Sequence, residues 1–254
     1  MKPKLVLFDV FSYSCMNCLR SLDFIKKISN KYKKFGLKTV IIHPPEWEFE
    51  KNNSNIRLAS KKYGVNFPIK IDRNCRIIKK YGVNFWPAQI LVKNNQTVYK
   101  HTGEGNYGGL EKSIIKNLKI NSKRLFNNEP KYSKFPAIYC GKRKKGRISG
   151  LNKKLKFGIV YNDGNWVQKD EYLQSVSDDS SLTILTKGKI INFVAKAINN
   201  KPIKIKIVLN NKLIKQLMVS EPGLYRIIRS KNNEQKMLTI ITQKNLAAYS
   251  FSFQ

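Results

Sequence analysis

The chain has 254 residues and carries a formal net charge of +33, with Lys+Arg 49 against Asp+Glu 16. Hydrophobic residues make up 41% and aromatics 11%, which excludes a disordered polycation and points to a folded core in one large domain or two ordinary ones. Four cysteines exclude a disulfide scaffold at this length, and no apolar run is long enough to span a bilayer. The N-terminal MKPKLVLFDVF contains Asp9 and no small-residue cleavage site, so it reads as a strand and not as a signal peptide.

Lys4–Phe11 alternates as a buried strand, and a helix is expected from near Cys18, with Leu19, Leu22, Ile25, Ile28 and Tyr32 on one face and Gly36 as its stop. Leu37–His43 is a second strand. Pro44 and Pro45 open a loop, followed by a helix ending at Gly64, an extended piece at Pro68–Asp72 and a helix over Cys75–Tyr81. Ala88–Lys93 and Thr97–Thr102 form a hairpin, and Leu110–Leu118 is an amphipathic helix. The heptapeptide KKYGVNF occurs at Lys61–Phe67 and at Lys79–Phe85, each copy read as a helix C-terminus with a glycine stop.

Asn121–Gly150 is polar, basic and punctuated by proline, which marks a connecting segment between a domain at 1–120 and a domain at 151–254. Beyond it come short alternating runs at Leu155–Tyr161, Ser181–Thr186, Lys189–Ala197, Ile203–Leu209, Lys212–Met218, Leu224–Ile228, Lys236–Ile241 and Ala247–Phe253. Their spacing describes an antiparallel β-sandwich. The expected order is therefore an α/β domain and then an all-β domain.

The positive charge is spread through both parts, and the cluster KRKKGR at Lys142–Arg147 falls in the connecting segment. No nucleic-acid-binding motif accompanies the charge, so a solvated basic surface is expected and no nucleic-acid partner.

The chemistry centres on Cys15-Met16-Asn17-Cys18, where a strand gives way to a helix. Backbone N–H groups at a helix N-terminus favour a thiolate, which marks Cys15 as the attacking thiol and Cys18, one turn on, as the resolving thiol. The competing reading is a structural or metal-binding CxxC. Zinc would need two further ligands, and Cys75, Cys140, His43 and His101 supply neither a second CxxC nor a paired histidine motif, so no metal is expected. Asp9 lies inside an apolar strand, where a buried carboxyl of raised pKa could exchange a proton with Cys18. Trp86-Pro87 precedes an apolar strand, a place for a cis proline that would present the Trp86 backbone to an extended substrate. Tyr13 and Trp86 are candidate walls of such a site and could equally be core residues.

VLFDVFSYSCMNC followed by a helix, then FWPA and a hairpin, resembles the thioredoxin fold. Within it FSYSCMNCLRSL, HPPEWEFE, NFWPAQILV and GEGNYG resemble the DipZ-type thioredoxin-like domain, a relative of the TlpA group. FPAIYCGKR, EPGLYRII and AYSFSF resemble later segments of the same family. The resemblance implies a thioredoxin-like domain followed by a β-sandwich like that of carbohydrate-binding modules. It implies a thiol–disulfide oxidoreductase with no cofactor beyond a redox-active Cys15–Cys18 pair. It also implies protein disulfide or thiol substrates, a CcdA-like membrane electron donor and an extracytoplasmic or membrane-associated location. Carried over by position, Cys15 and Cys18 are the exchanging thiols, Asp9 the buried acid/base and Pro87 the cis proline. Glu46 and Glu104 match family motifs, with Glu104 expected near the CxxC. Ser12, Asp23 and Cys140 depart from the family pattern. Carbohydrate is a candidate ligand of the second domain through Trp166, Tyr161 and Tyr172. With no imidazole between the cysteines, the couple is expected to be reducing.

Overall fold

A computed structural model describes residues 4–126, 135–151 and 154–254 of the chain. The chain divides into two compact units, Met1–Lys131 and Tyr132–Gln254.

The first unit is built on a five-stranded sheet in the order β3-β2-β1-β4-β5. Strand β1 (Leu5–Val10) is central, parallel to β2 (Leu37–His43) and antiparallel to β4 (Ala88–Lys93). Strand β3 (Ile69–Ile71) lies parallel beyond β2, and β5 (Gln96–Thr102) closes the hairpin with β4. Helices α1 (Met16–Tyr32), α2 (Asn53–Lys62), α3 (Arg76–Lys80) and α4 (Tyr107–Leu118) complete it. This is the thioredoxin arrangement. Leu5 and Leu7 of β1 pack with Ile25, Ile28 and Tyr32 of α1 and with Leu110 and Ile114 of α4, while Val10 joins Ile42, Ile78 and Ile90 in a second cluster. Burial of these apolar side chains is the main driving force for docking the helices. The buried face of α1 is the one read from its periodicity, and the helix begins near Cys18, at Met16. Cys15 serves as its N-cap, and the Cys15 Sγ accepts the Cys18 N–H at 3.4 Å, so the first turn is already satisfied there.

The two KKYGVNF copies adopt the same helix ending. Gly64 and Gly82 have φ of 60° and 62°, and Val65 N donates to Ser60 O as Val83 N donates to Ile78 O. The shared heptapeptide is thus a repeated C-cap in which glycine takes the left-handed position at little cost.

The second unit is a pair of β-sheets. One runs β15-β12-β17-β10-β9, with β6 added beside β17; the other runs β14-β13-β16-β11-β8-β7. The first comprises β6 (Ile138–Tyr139), β9 (Trp166–Gln168), β10 (Leu173–Ser175), β12 (Ile190–Ala197), β15 (Gly223–Arg229) and β17 (Leu246–Phe253). The second comprises β7 (Ile148–Gly150), β8 (Val160–Asp163), β11 (Ser180–Lys187), β13 (Ile203–Leu209), β14 (Lys212–Val219) and β16 (Gln235–Thr242). Phe193, Ala195, Phe251 and Phe253 from one sheet meet Leu182, Ile184, Ile205, Ile207 and Ile240 from the other in a single core. Alternation along each strand produces this two-layer β-sandwich.

The structure differs from the sequence expectation in three places here. The strand expected over Leu155–Tyr161 is Val160–Asp163. Strands β9 and β10 were not expected, each being only three residues long. Within the segment read as connecting, Ile138–Tyr139 pairs with β17 and Ile148–Gly150 with β8, so apolar residues there enter the sandwich. The remainder of that segment lies partly outside the described residues.

Candidate active site

Strand β1 ends at Val10, and the loop that follows delivers Cys15 to the N-terminus of α1. Cys15 is half-buried, whereas Cys18 is fully buried at 0% exposure. Both are free thiols in this structure. Burial holds the Cys18 thiol well above the ordinary cysteine range, and the neighbouring Cys15 and the charge of Asp9 push the same way. One thiol is reachable and the other is sheltered beside it, which suits attack by the first and resolution by the second.

Asp9 lies in β1, and strand register sets Gln89 of β4 directly across from it. Gln89 Nε2 donates to Asp9 Oδ1 at 3.0 Å. Burial raises the Asp9 carboxyl from 3.8 to about 7, with the Gln89 bond pulling in the opposite direction. Asp9 is near enough to Cys18 for its charge to raise that thiol. A carboxyl poised near neutrality can hold or release a proton at working pH.

The Trp86–Pro87 peptide is cis. Trp86 is half-buried, and its indole N–H donates to Glu46 Oε2 at 3.3 Å. This gives Glu46 a structural connection to the other side of the site. Glu104 reaches the CxxC through Arg20 of α1. Arg20 Nε donates to Glu104 Oε1 at 2.6 Å and Nη2 to Oε2 at 2.5 Å, while Nη2 also contacts Asn17 Oδ1, inside the CxxC, at 2.6 Å.

Of the two readings open for Tyr13, the structure takes the core one and not the wall of the site. Tyr13 is only 2% exposed and packs its ring 5.5 Å from that of His43 and 6.1 Å from that of Phe49. It therefore supports the loop from within and does not wall an open surface.

Three buried polar residues near this site, Gln89, Glu50 and His43, were not read as part of it, His43 having been weighed only as a zinc ligand. Gln89 was invisible because only strand register reveals its partner. His43 ends β2, and burial lowers its imidazole to about 4, keeping it neutral at physiological pH. Glu50 is 0% exposed and accepts hydrogen bonds from Ser12, Ser14 and Glu46. The acid-rich motif HPPEWEFE was a signal for it, but burial singles out Glu50.

The remaining cysteines lie elsewhere. Cys75 precedes α3 and is half-buried; Cys140 is fully buried in the sandwich core. Among the described residues, no group of three or more His, Cys, Asp or Glu side chains is placed to hold a metal ion. Of the aromatics considered for sugar binding, Tyr161 is buried at 2%, Trp166 packs against the sandwich core, and Tyr172 lies 5.2 Å from the Tyr249 ring.

Residues 2–118 match the redoxin family model, and residues 150–253 match that of the thioredoxin-like C-terminal domain. The chain is 33% identical over 120 residues to Protein DipZ of Mycobacterium bovis, covering 46% of this chain and 17% of that protein, so it spans a small part of that relative. It is 27% identical over 104 residues to the thiol-disulfide oxidoreductase ResA of Halalkalibacterium halodurans, covering 41% of this chain and 56% of that one. Among solved structures, StoA from Bacillus subtilis aligns at 17% identity with a TM-score of 0.39, over 44% of this chain and 84% of that one. With a redoxin domain carrying the CxxC and a thioredoxin-like C-terminal domain forming the sandwich, the chain is a thioredoxin-like protein similar to DipZ and ResA.

Proposed function

We propose that this protein is a thiol–disulfide oxidoreductase that reduces protein disulfides through the Cys15–Cys18 couple. The observation that carries this reading is the pairing of a half-buried Cys15 at the α1 N-cap with a sheltered Cys18 whose N–H meets the Cys15 Sγ at 3.4 Å. In the first step the Cys15 thiolate attacks a substrate disulfide, forming a mixed disulfide and releasing one substrate thiolate. Asp9 accepts the Cys18 proton. The Cys18 thiolate then attacks Cys15 Sγ, closing the Cys15–Cys18 disulfide and releasing the second substrate thiolate. Two electrons pass to the substrate, and the released thiolates take up protons. Trp86 and Pro87 flank the approach of an extended substrate.

A reducing poise is supported by the charges around the couple. Arg20, the nearest cation of α1 to the CxxC, is engaged by Glu104, and a buried carboxyl at Asp9 disfavours a neighbouring thiolate. The likeness to DipZ and ResA supports an extracytoplasmic setting and a CcdA-like membrane electron donor. No helix among the described residues is long and apolar enough to cross a membrane. The sandwich is proposed as a positioning domain, with carbohydrate as its candidate ligand.

The test is insulin reduction by the full chain under dithiothreitol. The wild-type protein accelerates precipitation of the insulin B chain, and Cys15→Ser falls to the uncatalysed rate. Equal rates for both would overturn the reading.

A further inference from the structure

Beneath the CxxC loop lies a single carboxylate that ties both sides of the site together. Glu50 sits in the 3-10 turn Glu48–Lys51 and is completely buried. Its Oε1 accepts from Ser12 Oγ at 2.8 Å and from the Ser14 backbone N–H at 3.1 Å. Its Oε2 accepts from the Glu46 backbone N–H at 2.6 Å and lies 3.0 Å from the same Ser12 hydroxyl. Ser14 is the residue immediately before Cys15. Glu46 in turn accepts the indole N–H of Trp86, the residue before Pro87. The route from the nucleophile's loop to the Trp86–Pro87 segment thus runs through Glu50.

We propose that Glu50 is a positioning residue for thiol–disulfide exchange, fixing the Ser12–Ser14 segment so that Cys15 is held in register with Cys18. The inference rests on the exchange reading above and deepens it. The chemistry demands a carboxylate at this position. The Ser14 and Glu46 N–H donors address opposite oxygens of Glu50, so a carboxamide in either orientation would set its NH2 group against an N–H. A buried N–H deprived of its acceptor moves or loosens its segment. The Cys15–Cys18 disulfide closes favourably because the sulfurs are pre-placed, and that effective concentration falls when one sulfur gains freedom. Loss of Glu50 therefore makes the couple less reducing, an effect distinct from any loss of folding stability.

The experiment equilibrates the full-length wild type, Ser12→Ala, Glu50→Asp and Glu50→Gln in glutathione buffers, with acid quenching and mass readout of dithiol and disulfide. Circular dichroism establishes which variants are folded. Glu50→Gln is expected to move the dithiol–disulfide constant about tenfold toward dithiol, which corresponds to about 30 mV for a two-electron couple. Glu50→Asp retains the charge but sits one methylene short, and is expected to shift by at least about threefold, about 14 mV on the same conversion. Ser12→Ala removes the hydroxyl donor to Glu50 but keeps both N–H bonds, and is expected to shift the constant in the same direction as Glu50→Gln by a smaller factor. If Glu50→Gln does not fold, the Glu50→Asp shift carries the result. A wild-type couple that titrates normally beside folded Glu50 variants within twofold of it overturns this inference alone, leaving Glu50 as structural support. A wild-type chain that forms no Cys15–Cys18 disulfide overturns the exchange reading and this inference with it.

Discussion

Asp9 and Gln89 face each other across the β1–β4 pairing, each about 1% exposed, with the amide donating to one carboxyl oxygen at 3.0 Å. The other oxygen, Oδ2, has no hydrogen-bond partner among the described residues. A buried carboxyl held by one neutral donor is costly to ionise, and this is what raises Asp9 to about 7.

The stability consequence has a definite sign. Between the ordinary aspartate value of 3.8 and about 7, the native chain keeps a proton that the unfolded chain has released. Stability contributed by this site therefore falls as pH rises through that window and stays low above it. The full difference corresponds to at most about 4 kcal/mol at about 1.4 kcal/mol per tenfold. Asp9→Asn removes the titration, so urea unfolding of the first domain at pH 5 and pH 8 should show the variant gaining on the wild type at the higher pH. An identical pH slope in the two proteins would contradict the burial argument. Turnover by Asp9→Asn should fall at pH 8, where the wild-type carboxyl is ionised and can take the Cys18 proton, and should match the wild type at pH 5, where that carboxyl is already protonated.

The Arg20–Glu104 pair tests whether Glu104 acts by holding α1. The two side chains are 12% and 8% exposed and meet in a bidentate geometry, which makes the pair stronger than a surface ion pair. Glu104→Ala leaves a largely buried guanidinium without its carboxylate and should destabilise the first domain by about 2–3 kcal/mol, somewhat below the cost of breaking a fully buried pair. Arg20→Met combined with Glu104→Ala should recover part of that loss, because the unpaired charge is then gone. Additive losses in the double variant would show that the two side chains act independently.

Cys140 and Cys75 should be dispensable for exchange. Cys140 is fully buried among apolar side chains, and burial raises its thiol far above the range in which it would react. The Cys75→Ser/Cys140→Ser double variant should reduce insulin at the wild-type rate, although a hydroxyl in the sandwich core should cost the second domain about 1–3 kcal/mol. A loss of rate matching that of Cys15→Ser would contradict the assignment of the chemistry to the CxxC.

Much of the first domain was legible because its signals are local. The apolar period of α1 and the alternation of β1 and β2 fix which faces are buried, and the CxxC position follows from where one pattern gives way to the other. Asp9 could be suspected from its apolar neighbours, but its partner could not, since Gln89 is 80 residues away and meets it only through sheet register. Glu46 and Glu104 were recognisable by motif, whereas their partners Trp86 and Arg20 depend on tertiary packing. Tyr13 read equally as a wall of the site or as core, and only the packing of its ring beside His43 and Phe49, which no periodicity encodes, decides for core. In the sandwich the long strands declared themselves by alternation. Strands β6, β7, β9 and β10 are two or three residues long and owe their pairing to neighbours already in place.

The central claim is that Cys15 attacks and Cys18 resolves, and trapping the intermediate tests it most directly. Full-length Cys18→Ser, reduced and then mixed with an excess of a disulfide-bonded protein, should accumulate a mixed disulfide that peptide mapping places on Cys15. Cys15→Ser, with its remaining CxxC thiol buried at 0% exposure and raised in pKa, should accumulate none on the same timescale. An adduct that forms on Cys18 as readily as on Cys15, or no adduct on either, would contradict the account.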